Sequence, residues 1–135
     1  MRVAVPIWGN RISPVLDTAS RFRIFELKGR TWLSEFETFL EEQEISRRCS
    51  RIRNLRVDAV ICGAVSRSMS DLLTAAGIQI IPGITGLYME VLDAYQEGCL
   101  FCEKFLMPGY SQELKIGKVE KSNEKKGQRK GEKNG

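Results

Sequence analysis

The chain has 135 residues, with 21 lysines and arginines against 17 acids and no histidine. That length suits one domain with its own core, and 42% hydrophobic residues exclude wholesale disorder. The missing histidine excludes Ser-His-Asp and Cys-His pairs, HExxH zinc sites and imidazole proton shuttles, so any general base would be a carboxylate, a lysine or a cysteine.

Residues 2–7 (RVAVPI) are β-branched and apolar and read as a buried central strand. Gly9-Asn10 marks a turn, and Arg11-Ile12-Ser13-Pro14 completes a polar loop. Residues 21–27 alternate charged and apolar types, as a strand with one exposed face would. Lys28-Gly29-Arg30 is a tight turn, and residues 31–39 (TWLSEFETF) supply a hairpin partner. A helix follows over residues 41–54, with Ile45, Cys49 and Ile52 at helical spacing. Its glutamates (Glu41, Glu42, Glu44) lead and its arginines (Arg47, Arg48, Arg51, Arg53) trail, which complements the helix dipole. The arginine run reads as a solvated face balanced by acids rather than a nucleic-acid patch.

Residues 58–62 (DAVIC) form a second buried strand ending at Gly63. Ser66-Arg67-Ser68 leads into a helix with Met69, Leu72, Leu73 and Ala76 on one face, stopped by Gly77. Residues 78–81 are another short strand, closed by Pro82-Gly83. Thr85-Gly86 opens a third helix striped by Tyr88, Val91, Leu92 and Tyr95 and ended by Gly98. The order β-β-β-α-β-α-β-α predicts an α/β class with a five-stranded mixed sheet and helices on both faces.

The domain is expected over residues 1–112, and residues 113–135 are expected to be a disordered basic tail. Residues 115–135 hold eight lysines and arginines against three glutamates, a charge of +5, which leaves −1 for the other 114. The basic balance therefore belongs to the tail. The tail lacks aromatic residues for stacking on bases, so nucleic acid is disfavoured as a partner. No stretch approaches the ~18 apolar residues of a membrane span, and the first residues lack a signal peptide's apolar core. A cytoplasmic protein with no membrane partner is expected. The sequence leaves the oligomeric state open.

In an open sheet of this kind, ligands favour the crevice beyond the carboxyl ends of the strands. Three loops should meet there, residues 8–14, 63–68 and 82–86. They offer Gly9, Gly63, Gly83 and Gly86 for close backbone approach, Arg11 and Arg67 as cations, and Ser13, Ser66, Ser68 and Thr85 as hydroxyls. Two of them feed helix N-termini, which favour anions. The pattern fits an anion-binding mouth and equally fits ordinary turn and capping chemistry. No loop carries a nucleotide signature, and Asp17 is the lone nearby carboxylate. These features place a binding protein ahead of an enzyme. Among the four cysteines, Cys62 lies nearest the mouth as a soft ligand or a small core residue. Cys99 and Cys102 form a CxxC that reads as a soft-metal site, a redox pair or two unremarkable cysteines.

Met1-Arg2-Val3-Ala4-Val5-Pro6, then Gly9-Asn10-Arg11-Ile12-Ser13-Pro14-Val15-Leu16-Asp17-Thr18-Ala19 and Phe22-Arg23-Ile24-Phe25-Glu26 resemble the opening of the dinitrogenase iron–molybdenum cofactor biosynthesis family. Val60-Ile61-Cys62-Gly63-Ala64-Val65-Ser66 with Ala75-Ala76-Gly77-Ile78 is similar to that family's middle. Pro82-Gly83-Ile84-Thr85-Gly86 with Val91-Leu92-Asp93-Ala94-Tyr95 resembles its last loop and helix, and Phe105-Leu106-Met107-Pro108-Gly109 a close-out seen in one branch. The resemblance spans roughly residues 1–110.

It implies a ribonuclease H-like three-layer α/β/α fold without nuclease activity. It also implies a non-catalytic carrier acting in metallocluster assembly or storage. The cargo would be iron–molybdenum cofactor, its precursor, or a related molybdenum, iron or copper sulfide cluster, and the partners would be cluster-assembly proteins. The alternative is a regulatory module of the same fold without cofactor. Carried over by motif, Arg11, Ser13, Gly63, Ser66 and Gly86 are the binding candidates, with Arg67, Ser68 and Thr85 beside them. Many members have histidine where this chain reads Pro14-Val15-Leu16-Asp17. Binding here would instead rest on backbone N–H groups, arginine, hydroxyls or the thiolates of Cys62, Cys99 and Cys102.

Overall fold

A computed structural model describes residues 1–98 and 103–108. Four strands come first: β1 (Arg2–Trp8), β2 (Arg11–Ile12), β3 (Arg21–Lys28) and β4 (Thr31–Phe39). Then α1 (Ile45–Asn54), β5 (Ala59–Ile61), α2 (Arg67–Ala75), β6 (Gln79–Ile81) and α3 (Tyr88–Glu97) alternate, and a short 3-10 turn (Glu103–Phe105) follows. The mixed sheet runs β4-β3-β1-β5-β6, with the two-residue β2 paired to β1. β1 is antiparallel to β3 and parallel to β5, which is parallel to β6. The five strands expected from the sequence are all present. β2 is the addition, formed where the 8–14 loop folds back on β1 with Ile7 opposite Ile12.

β1 is central because five consecutive residues are buried, which only a strand covered on both faces allows. Val3, Val5 and Ile7 face α3 and pack with Phe25, Trp32, Val91 and Leu92. Trp32 donates its indole N–H to the Leu92 carbonyl at 2.9 Å, which ties β4 to α3. On the other face Ala4, Phe22, Ile24 and Val60 pack against Cys49 and Ile52 of α1 and Met69 and Leu73 of α2. Helices thus cover both faces, as expected. The β3–β4 hairpin closes on Gly29-Arg30, and Gly29 takes φ 63, the positive dihedral such a two-residue turn requires.

α1 starts four residues later than the glutamate run predicts. Leu40 is almost fully buried and its N–H donates to Ser20 O at 2.8 Å, so the chain stays extended past the end of β4. The first turn of α1 therefore holds no acid, although Arg51 and Arg53 do occupy its last turn. Glu42 pairs with Arg51 at 2.9 Å instead. Arg48 departs further from the solvated-face reading. It is only 3% exposed and donates to the carbonyls of Leu16, Ala19 and Glu42 at 2.6–3.0 Å. α3 likewise begins at Tyr88, not at Thr85-Gly86, because Leu87 is held extended in a bridge to Arg11. The domain boundary near 112, the tail at 113–135, Cys99 and Cys102 lie outside the described residues.

Candidate binding mouth

The parallel arrangement of β1, β5 and β6 brings their carboxyl ends to one edge, so the loops after them converge. Backbone hydrogen bonds lace these loops together. Ala64 N–H donates to Pro14 O and Leu16 N–H to Ala64 O, both at 2.8 Å. Gly83 N–H donates to Gly63 O and Ile12 N–H to Gly86 O, both at 2.9 Å. Gly63 is required for this approach, because a Cβ there would lie 2.4 Å from Pro14 O. A strap of residues 105–107 joins the same edge. Thr85 N–H donates to Phe105 O and Met107 N–H to Gly83 O, both at 2.8 Å.

Among the described residues, two cavities open on this edge, and Trp8 and Pro14 line both. One, of about 310 Å³, has Arg11, Ile84, Thr85 and Met107 on its walls. The other, of about 350 Å³, is walled by Ser13, Val15, Thr18, Ser20 and Arg21. Trp8 lines both and is 74% exposed, a large cost for an indole with no role at the surface. Among the described residues, no carboxylate lines either cavity.

The mouth expected from the sequence is therefore present but divided. Arg11 and Thr85 fall in the first cavity and Ser13 in the second, while Gly63 lies buried beneath Pro14. Gly86 takes φ 128 and packs on Phe105, away from both linings. Ser66 is the N-cap of α2. Its Oγ accepts from Met69 N–H at 3.2 Å, and its own N–H donates to Asp17 Oδ1 at 2.8 Å. Arg67 and Ser68 are exposed on the first turn of α2 and line neither cavity. At α3, Tyr88 N–H donates to Asn10 O at 3.0 Å. One or two donors at each helix start are thus engaged by the chain's own acceptors, which is the capping chemistry that spacing left open.

Cys62 is fully buried in the core cluster under α1 and α2, so its thiol does not reach the mouth surface. Among the described residues, no group of three or more His, Cys, Asp or Glu could hold a metal ion. Sequence reasoning missed Trp8, Met107, Thr18 and Arg21. An aromatic placed directly before Gly9-Asn10 was the available signal for Trp8, whereas Arg21 was absorbed into the reading of its strand. Arg48 supports the site from below, gripping the 16–19 turn that carries Asp17 and Thr18. Burial pulls its guanidinium below the ordinary arginine value, and the Asp17 charge works against that shift.

Comparison with known families gives residues 1–98 as a match to the dinitrogenase iron-molybdenum cofactor family. The chain belongs to that family. Its matched region contains every strand and helix that builds the mouth except the 103–107 strap. No curated protein matches the chain. Among solved structures, the crystal structure of PH0822 superimposes with a TM-score of 0.69 at 19% identity, over 84% of this chain and 98% of that one. The apo form of the orange protein from Desulfovibrio gigas gives a TM-score of 0.59 at 18% identity, over 73% of this chain and 88% of that one. These likenesses, at 18–19% identity, show that the chain shares its fold with these proteins.

Proposed function

We propose that this family member is a non-catalytic binding protein for an anionic metal–sulfur cluster, acting as a cytoplasmic carrier or store for cluster-assembly proteins. The cargo class is iron–molybdenum cofactor, its precursor, or a molybdenum–copper sulfide. The observation that carries this reading is the 310 Å³ cavity beside Trp8, which among the described residues has Arg11 as its charged group and no carboxylate. Its donor set suits an anion. Arg11 supplies charge, the Thr85 hydroxyl a hydrogen bond, the Met107 thioether a soft contact and Trp8 an apolar wall. Among the described residues the lining carries donors and apolar groups, Arg11, Thr85, Ile84, Met107 and Trp8, which suits a binding role. The helices on both sheet faces are consistent with the ribonuclease H-like three-layer arrangement that the family resemblance implies.

The test uses the purified full-length chain mixed with tetrathiomolybdate, with and without copper(I). A retained charge-transfer absorbance with stoichiometric molybdenum after gel filtration is expected, and Arg11→Gln should release most of it. Absence of any retained chromophore, with these ions and with iron–molybdenum cofactor, would overturn the reading. A second reading, a regulatory module of the same fold without cargo, is favoured by the burial of Cys62 and the self-capped helix starts. Stoichiometric metal in protein isolated from its native host would remove it.

A further inference from the structure

The second cavity, which shares Trp8 and Pro14 with the first, has a different chemistry. Its volume is about 350 Å³. Three hydroxyl residues line it, Ser13, Thr18 and Ser20, and Arg21 is its one charged group among the described residues. Ser13 is only 5% exposed, and its N–H is fixed to Pro6 O at 2.8 Å, so one of the three is a buried and immobile part of the wall.

Arg21 is paired with Glu37 through Nε at 2.8 Å and Nη2 at 2.6 Å, and Arg23 Nη1 shares the same carboxylate at 2.6 Å. Two guanidiniums against one carboxylate leave that cluster with a net positive charge, although Arg23 does not line the cavity. Asp17, the nearest other acid along the chain, is turned to Ser66 N–H and does not line the cavity. Ile7, Val15 and Ala19 add apolar wall to the cavity.

Several ligand classes fail here. Calcium and magnesium need several oxygen ligands including carboxylates, and among the described residues none lines the cavity. A wholly apolar ligand would strand the Ser13 hydroxyl in a dry wall. A soft sulfide has no soft partner on this side, since Met107 lines the other cavity. Hydroxyls and a guanidinium are hard donors suited to oxygen acceptors bearing negative charge. We infer that this cavity is a second, separate site for a small tetrahedral oxoanion, so that the mouth has an oxygen-seeking lobe and a sulfur-tolerant lobe, both lined by Trp8.

Titration of the full chain with molybdate, and separately with sulfate, tests this by calorimetry and by Trp8 fluorescence, with Trp32 buried as an internal reference. Saturable binding at millimolar concentration or below is expected for both. Thr18→Val, which removes a hydroxyl without touching Glu37, should weaken it by about tenfold, the loss typical of a hydrogen bond to a charged group. Arg21→Gln should weaken it at least as much. Thermal melting confirms that each variant is folded. If Arg21→Gln unfolds, Thr18→Val and Ser20→Ala decide the matter alone. Failure of the wild type to bind either oxoanion overturns the inference, as does wild-type affinity in the folded variants. Tetrathiomolybdate retention depends on Arg11 and the other cavity, so the two readings fail separately.

Discussion

Replacing Gly63 by alanine tests the construction of the mouth directly. A Cβ at this position would lie 2.4 Å from Pro14 O and 2.9 Å from both Pro14 C and Ser13 O. All three atoms are backbone, so no side chain can swing away. Carbon–oxygen contacts settle near 3.3 Å, so the 13–14 segment must retreat by roughly 0.9 Å. The Ala64 N–H to Pro14 O and Leu16 N–H to Ala64 O bonds, now 2.8 Å, are the ones that would stretch past useful length.

Each such bond contributes about 1 kcal/mol net, and overpacking of this kind costs about 1–3 kcal/mol, so Gly63→Ala should destabilise the chain by about 3 kcal/mol. That is a large share of the 5–15 kcal/mol typical of a domain. Urea unfolding followed by far-ultraviolet circular dichroism would measure it. Because Pro14 walls both cavities, binding at each should weaken in the same variant even where it remains folded. A variant within about 0.5 kcal/mol of wild type would show that the 13–14 segment yields freely, and the reasoning about a rigid, laced mouth would fail.

Arg48→Met fills most of the volume but leaves the Leu16, Ala19 and Glu42 carbonyls without their donor. A loss of about 2–3 kcal/mol in urea unfolding is expected, because stranded acceptors outweigh the relief of desolvating a charge. Burial, with a smaller contribution from a nearby carboxylate, raises the Cys49 thiol and the Tyr95 phenol above their ordinary values of about 9 and 10. Both groups hold their protons more tightly in the folded state. Their contribution is whole below the unfolded values and is lost as pH rises through the folded ones. The urea midpoint should therefore fall above about pH 9, and Cys49→Ala should remove the earlier part of that fall. Arg56 sits at φ 58 just after α1. Arg56→Gly should stabilise by about 0.5–1 kcal/mol, the relief of left-handed strain less glycine's entropy, and raise the melting temperature by several degrees.

Much of the fold was legible because its signals are local. The run 2–7 has no polar break, so it could only be a strand covered on both faces. Gly29 and Gly98 mark turns that the structure places where expected, with φ of 63 and 81. The start of α1 was not legible, since the glutamate run is a good helix opening and the burial of Leu40 that overrides it is a tertiary event. Arg48 illustrates the same limit. Among four arginines in seven residues, nothing local marks the one that turns inward to three carbonyls. At the site, the loops that would meet followed from topology alone, but their division into two cavities did not. That division depends on Trp8 standing at the surface and on the 105–107 strap arriving from the far end of the domain.

The self-capped helix starts change where the mouth's attraction for anions must come from. Asp17 takes the Ser66 N–H, Ser66 Oγ takes that of Met69, and Asn10 O takes that of Tyr88. These acceptors take some of the donors that a bound anion would otherwise use, and a carboxylate at α2 also offsets the positive end of its dipole. The remaining pull belongs to Arg11 and Arg21, side chains exposed or half-exposed at the rims. Charges so placed are screened over about 8 Å at physiological ionic strength and far more closely at high salt. Anion binding at this mouth should therefore weaken progressively between low and molar sodium chloride, in both the molybdate and the thiomolybdate titrations. Affinity independent of salt would mean that buried amide donors hold the anion, and would move the site from the arginine rims to the helix starts.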